Sequence, residues 1–254
     1  MRHVPTLLRR ELGAYFLSPI AFLILLAFQA IAWFNFAELV DNLVRNARAF
    51  STLRDPLNTY ISGSVPFWIG LLVAVPALTM RLVAEERRSG TIEPLMTAPV
   101  TESEVVIAKW LAGVVMYLAL LAPFALYLPF LYHQAKYYFD LGPVAALGIG
   151  LATMGMMFVA IGLFFSALTR NQIVAAIWTF AALFFLILLT TAAHRYATIR
   201  RASWADAMQF VSVLDQLNTF GAGQLDVRFL ALHLSVCALM LYLTVKVLQY
   251  RREA

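Results

Sequence analysis

The chain has 254 residues, of which 62% are hydrophobic and 13% charged, about half the charged share of an ordinary soluble domain. Its mean hydropathy is +0.78, more apolar character than a soluble globule of this size can hide, because small chains keep proportionally more surface in water. The composition excludes a soluble enzyme, a secreted disulfide scaffold and a disordered regulator, and it reads as an integral membrane protein. The net charge of +5 then points to loops facing anionic lipid rather than to nucleic acid. The lone Cys237 has no internal partner and reads as a small buried hydrophobe.

Six runs carry no formal charge: 12–37, 56–80, 110–135, 141–169, 171–194 and 229–245. Each approaches or exceeds the ~20 apolar residues of a spanning helix, and Arg228 and Lys246 can snorkel to lengthen the last. The runs are continuously apolar rather than alternating, which argues for helices over a membrane barrel. The expected fold is an all-α membrane protein. It forms one transmembrane domain over 1–254, with spans near 17–37, 60–80, 110–131, 143–168, 172–193 and 229–248.

Before the first span, Val4, Leu7, Leu8, Leu12 and Tyr15 recur at helical spacing with Arg9, Arg10 and Glu11 between them. That pattern predicts an N-terminal amphipathic helix in the membrane interface. The first run carries Pro19 and no small-residue cleavage site, so it reads as a retained span. Residues 38–55 form a mixed-charge loop, and Arg170 and Asn171 a tight hairpin. Between the fifth and sixth spans, Trp204, Met208, Val211, Leu214 and Leu217 hold helical spacing, predicting short helices at the outer face. Six spans put both termini on one side. Placing that side in the cytoplasm puts 11 of the 19 Lys and Arg residues inside and 8 outside, so cytoplasmic termini are expected.

Several kinds of chemistry are missing. The span interiors hold no Asp, Glu, Lys or Arg to couple ions to movement. There is no Gly-Lys-Ser/Thr phosphate loop, no Gly-x-Ser-x-Gly, no His-Glu-x-x-His and no internal repeat. His3, His133, His194 and His233 are scattered rather than at ligand spacing. Gln29, Asn35, Thr153, Ser166, Thr179, Thr190 and Thr191 read as bonds between helices. The pairs Ala146/Gly150 and Gly148/Ala152 read as sites of close helix approach. The chain is thus expected to be no enzyme and to hold no cofactor or metal.

The charge-dense stretch 81–109 is different in kind. The second span is expected to run on through Glu85, Glu86, Arg87 and Arg88, with Gly90 in the left-handed position after a helix end. Thr91 can cap a short helix over 91–98 with Pro94 in its first turn, and Pro99 ends it. Thr101 and Glu104 form a capping box that starts the next helix. The short helix would expose Glu93, Leu95, Met96 and Thr97, either to a partner's groove or simply to solvent.

The run from Glu85 to Val100, with Glu104 and Lys109 after it, resembles the signature of ABC-2 type permeases of ATP-binding cassette transporters. The stretch from Glu11 to Phe22, and the one from Asn218 to Asp226 holding Phe220, Gly223 and Asp226, are similar to the gliding-motility-type branch. The resemblance implies a permease subunit, with an exporter expected, in the inner membrane of a bacterium. It further implies that 91–98 is the coupling helix, docking one of two separate ATP-binding subunits that hold the ATP and Mg. A second permease, identical or homologous, would complete the unit, with an accessory outer-face protein as a possible further partner. Two other readings stay open: a non-transporting scaffold or assembly factor, and a complex doing mechanical work on an outer partner.

Overall fold

The computed structural model describes residues 3–45, 61, 63–90, 100–134 and 141–253, with the side chains of 42–44, 128–134, 141 and 251–253 left aside. Among the described residues all regular structure is helical. Six helices are long and apolar enough to cross a membrane: Pro19–Asp41, Val65–Ser89, Glu102–Tyr127, Gly142–Leu168, Gln172–Ile199 and Val227–Tyr250.

Helix α1 (Val4–Phe16) ends at Leu17, and α2 (Pro19–Arg45) begins at once with Pro19 in its first turn. Helix α3 (Val65–Thr79) starts at Ser64, whose Oγ accepts from the Phe67 N–H at 3.2 Å. A short helix, α4 (Ala84–Ser89), follows, and then α5 (Glu102–Gln134) and α6 (Leu141–Leu168). Asn171 caps α7 (Gln172–Phe184) through the Ile173 N–H at 2.9 Å. Residues Phe185–Leu189 widen into a π-helical turn before α8 (Thr190–Ile199). Two short helices, α9 (Ala205–Val211) and α10 (Val213–Gly221), precede α11 (Val227–Glu253).

The second, third and fourth spans form the core, with 72%, 61% and 61% of their most apolar windows buried, against 28%, 22% and 17% for the first, fifth and sixth. Helix α6 is the hub, touching α3, α5, α7, α10 and α11. Lipid tails are as apolar as leucine, so helices in a bilayer associate through close packing rather than through water exclusion. Three glycines on α6 serve that need. A Cβ on Gly150 would meet the Phe220 ring at 2.4 Å, one on Gly155 the Tyr117 ring at 1.9 Å, and one on Gly162 the Thr79 Oγ1 at 2.2 Å. Of the small-residue pairs named from sequence, Ala146 and Gly150 are buried within the chain, whereas Gly148 is exposed.

Elsewhere in the core, Phe28, Phe67 and Phe124 join α2, α3 and α5, with ring centroids 5.1 to 6.1 Å apart. Polar span residues satisfy one another. Ser64 Oγ donates to Asn35 Oδ1, and Gln29 Nε2 donates to Tyr127 Oη at 2.6 Å. Thr179 returns its hydroxyl to its own helix.

Candidate functional site

The hairpin between the second and third spans departs from its expected form. The helix of the second span does not run straight on; it breaks over residues 80–83 and resumes as α4. Ser166 of α6 holds the break open. Its Oγ accepts from the N–H groups of Val83 and Ala84, both at 3.1 Å, and donates to the Met80 carbonyl at 3.0 Å. A side chain inserted into the helix ladder, satisfying the groups it frees, is a sufficient cause of such a kink. Arg87 then donates to the Ala167 carbonyl at 2.5 Å, serving an orphan acceptor at the end of α6. Beyond α4, Gly90 takes φ +73, a conformation that glycine adopts without Cβ strain. Residues Thr91, Glu93, Leu95, Met96, Thr97 and Pro99 lie outside the described residues. After them, Glu104 N–H donates to Thr101 Oγ1 at 3.3 Å and Thr101 N–H to Glu104 Oε2 at 3.2 Å, closing the capping box.

The two ends of this hairpin meet α1 in a four-membered charge cluster. Lys109 Nζ lies 2.9 Å from Glu86 Oε1 and 3.1 Å from Glu11 Oε1. Arg10 Nη2 closes the ring, 3.0 Å from Glu86 and 2.8 Å from Glu11. The Lys109 side chain is only 3% exposed, and Glu11 and Glu86 are 11% and 19% exposed. Glu85 lies beside them, paired with Arg81 at 3.0 Å. Alternating charge makes the burial tolerable, since the Oε1 atom of each carboxylate faces both cations.

The α1–α2 corner also grips the break directly. Tyr15 Oη donates to the Leu78 carbonyl at 2.7 Å, and Arg81 donates to Ser18 Oγ. Burial pushes the Tyr15 phenol well above its ordinary range, so it remains a hydrogen-bond donor. A cleft of about 170 Å³ opens among Glu11, Tyr15, Arg81, Glu86 and Lys109.

Glu11 and Lys109 were missed as site residues. Glu11 reads from sequence as part of the polar strip of α1 with Arg9 and Arg10, yet it is buried while Arg9 is exposed. Its spacing was the available signal: Leu8, Glu11 and Tyr15 lie three and four residues apart, on one face. That face packs along α5, with Leu8 half-buried.

At the other end of the bundle, Phe220, Gly223 and Asp226 build the turn into the last span. Phe220 is fully buried in its seat on Gly150. Gly223 takes φ +81 against Pro143. Asp226 accepts from the Arg228 N–H at 2.9 Å and pairs with its guanidinium at 2.6 Å, which holds the Asp226 carboxyl below its ordinary range. Trp204 is 42% exposed and stacks on Tyr196. His233, fully buried, bridges Thr153 at 3.1 Å and Gln216 at 2.9 Å. Among the described residues no group of three His, Cys, Asp or Glu side chains could hold a metal.

Six apolar helices, a charge-locked hairpin between the second and third, and a turn-built entry to the last define the chain's organisation. The family model described as ABC-2 family transporter protein matches residues 16–227. The chain belongs to the ABC-2 family. A comparison with curated proteins gives no match. This ABC-2 protein is therefore a multi-pass membrane protein and a permease component of an ATP-binding cassette transporter, a membership that implies association with an ATP-binding subunit. The family match begins at residue 16, so all of α1 but its last residue, Arg10 and Glu11 included, lies before it, whereas Glu86 and Lys109 fall within it.

Proposed function

We propose that this permease is one half of an exporter whose ATP-binding subunits drive it through the 91–98 segment. The supporting observation is the Glu11–Arg10–Glu86–Lys109 cluster, which ties both ends of that hairpin to α1 through a nearly buried lysine. A push on the segment reaches α4, whose Glu86 is fixed to Lys109 at the start of α5 and to Glu11 on α1. Ordinary hairpins between spans have no need of such a joint.

In this reading both termini and the cluster face the cytoplasm of a bacterial inner membrane, and α1 lies along its surface with Arg9 exposed to headgroups. Thr91, Glu93, Leu95, Met96, Thr97 and Pro99 form the docking element, with Glu85, Glu86 and Gly90 as its stem. This chain, of the gliding-motility-type branch, pairs with a second permease, identical or homologous, and with two ATP-binding subunits that hold ATP and Mg; an outer-face protein is a further partner. The Leu, Phe, Ala and Met lining of the spans suits lipid-like or amphipathic cargo.

The test is the purified complex in proteoliposomes. Glu93→Arg with Leu95→Arg is expected to leave the permease folded but to abolish its stimulation of the ATP-binding subunit's ATPase and its copurification at stoichiometric ratio. Unchanged copurification and stimulation would sink the docking assignment.

A further inference from the structure

The end of the fifth span carries a cationic and aromatic patch that the transport reading does not use. Arg200 places its guanidinium carbon 5.6 Å from the centre of the Tyr196 ring, and Tyr196 stacks on Trp204 with centroids 6.5 Å apart. Arg195 and Arg201 are exposed on the same stretch of chain, and Ile199 is 80% exposed. Among the described residues none of these three arginines pairs with a carboxylate. The acids in the neighbouring helices are Asp206, exposed, and Asp215, which faces His194 at 3.8 Å.

The backbone adds an independent signal. Arg201 N–H donates to the Thr198 carbonyl at 3.1 Å and Ala202 N–H to the Ala197 carbonyl at 2.9 Å. That is a Schellman ending with Arg201 in its left-handed position, φ 51. Glycine is the residue that takes this position without strain. Holding a guanidinium there is an outlier of the kind that points to a use.

We propose that Arg195, Arg200, Arg201, Tyr196 and Trp204 bind the phosphate of an anionic glycerophospholipid. Arginine forks match phosphate oxygens in bidentate geometry, and stacking on Tyr196 fixes the orientation of one fork. Tyrosine and tryptophan at the end of a spanning helix lie at headgroup depth. The exposed Leu188, Leu189 and Ile199 on the same span offer a surface for the acyl chains. Three unpaired cations against one exposed carboxylate favour an anionic headgroup over a zwitterionic one. The exposed apolar side chains along the same span favour a lipid over an acidic protein.

The experiment uses the full chain in phosphatidylcholine vesicles with about a tenth of the lipid replaced by brominated phosphatidylglycerol. Trp204 fluorescence is taken as the difference between the chain and its Trp204→Phe variant. Quenching is expected to exceed that from brominated phosphatidylcholine at the same fraction. The excess should fall by about fivefold for each guanidinium removed in Arg200→Ala and Arg201→Gly. Arg201→Gly supplies the residue the turn prefers, so loss of quenching there is not unfolding. Equal quenching by both lipids, or a preference unchanged in the double variant, overturns the proposal. Reversal by millimolar inorganic phosphate would overturn the lipid as ligand, leaving a phosphate site without chain specificity.

Discussion

Glu11 and Lys109 stand 98 positions apart in the chain and 3.1 Å apart in space. The pair joins α1 to the first turns of the third span, and Glu86 draws the end of the second span into the same contact. Burying a lysine costs several kcal/mol unless carboxylates and good geometry offset it. Here two carboxylates do, and the result is a polar joint that adds to the packing of α1 on the hairpin and ties three elements together.

Removal of the lysine should therefore be far more damaging than removal of the arginine. Lys109→Met leaves Glu11 and Glu86 with only the half-exposed Arg10 between them and is expected to destabilise by about 3–5 kcal/mol. Arg10 is 51% exposed, and Arg10→Ala should cost no more than about 1 kcal/mol. Thermal unfolding in detergent measures both, and limited trypsin cleavage after Arg9 reports release of α1. Equal costs for the two variants would contradict the burial argument.

The break in the second span gives a separate test through Ser166. Ser166→Ala removes the acceptor for Val83 and Ala84 N–H and the donor to Met80. A buried amide left unsatisfied costs about 1–3 kcal/mol. Hydrogen exchange over residues 80–90 should speed up markedly while exchange in α7 stays slow. Protection unchanged at Val83 and Ala84 would mean that the serine is not what holds the kink.

The turn into the last span responds to backbone freedom. Gly223→Ala places a Cβ at φ +81 and 3.1 Å from Pro143, an expected loss of about 1–2 kcal/mol. Asp226→Ala removes the cap on the Arg228 amide, worth about 1 kcal/mol. Both are read by thermal unfolding, and their effects should be less than additive because the two residues shape one turn. Full additivity would place them in independent sites.

Much of this was legible in the sequence, and the reason differs by element. Six spans follow from the spacing of formal charges, which a bilayer enforces residue by residue. The Thr101–Glu104 box and the left-handed Gly90 are local chemistry, readable within a few residues. The kink at 80–83 was not, because its cause, Ser166, is more than eighty positions away. Glu11 reads as part of the polar strip of α1 because no local sequence window contains Lys109. The same limit applies to α6: the pairs at four-residue spacing named Gly150, but the seats at Gly155 and Gly162 exist only because Tyr117 and Thr79 face them.

Two glycines on α6 differ in what surrounds them. A Cβ on Gly148 meets nothing within 4 Å, whereas one on Gly155 would fall 1.9 Å from the Tyr117 ring. Tyr117 cannot simply swing aside. It is fully buried, and its hydroxyl donates to the Leu151 carbonyl at 3.1 Å. Gly148→Ala is expected to be neutral or to stabilise by up to about 1 kcal/mol through helix propensity. Gly155→Ala should overpack the α5–α6 contact and cost about 1–3 kcal/mol or more. Combining Gly155→Ala with Tyr117→Leu should recover part of the loss, since the smaller side chain vacates the space the methyl needs. Melting temperatures of the four proteins in one detergent decide it. Similar effects at Gly148 and Gly155 would mean that α6 packs through something other than its glycine seats.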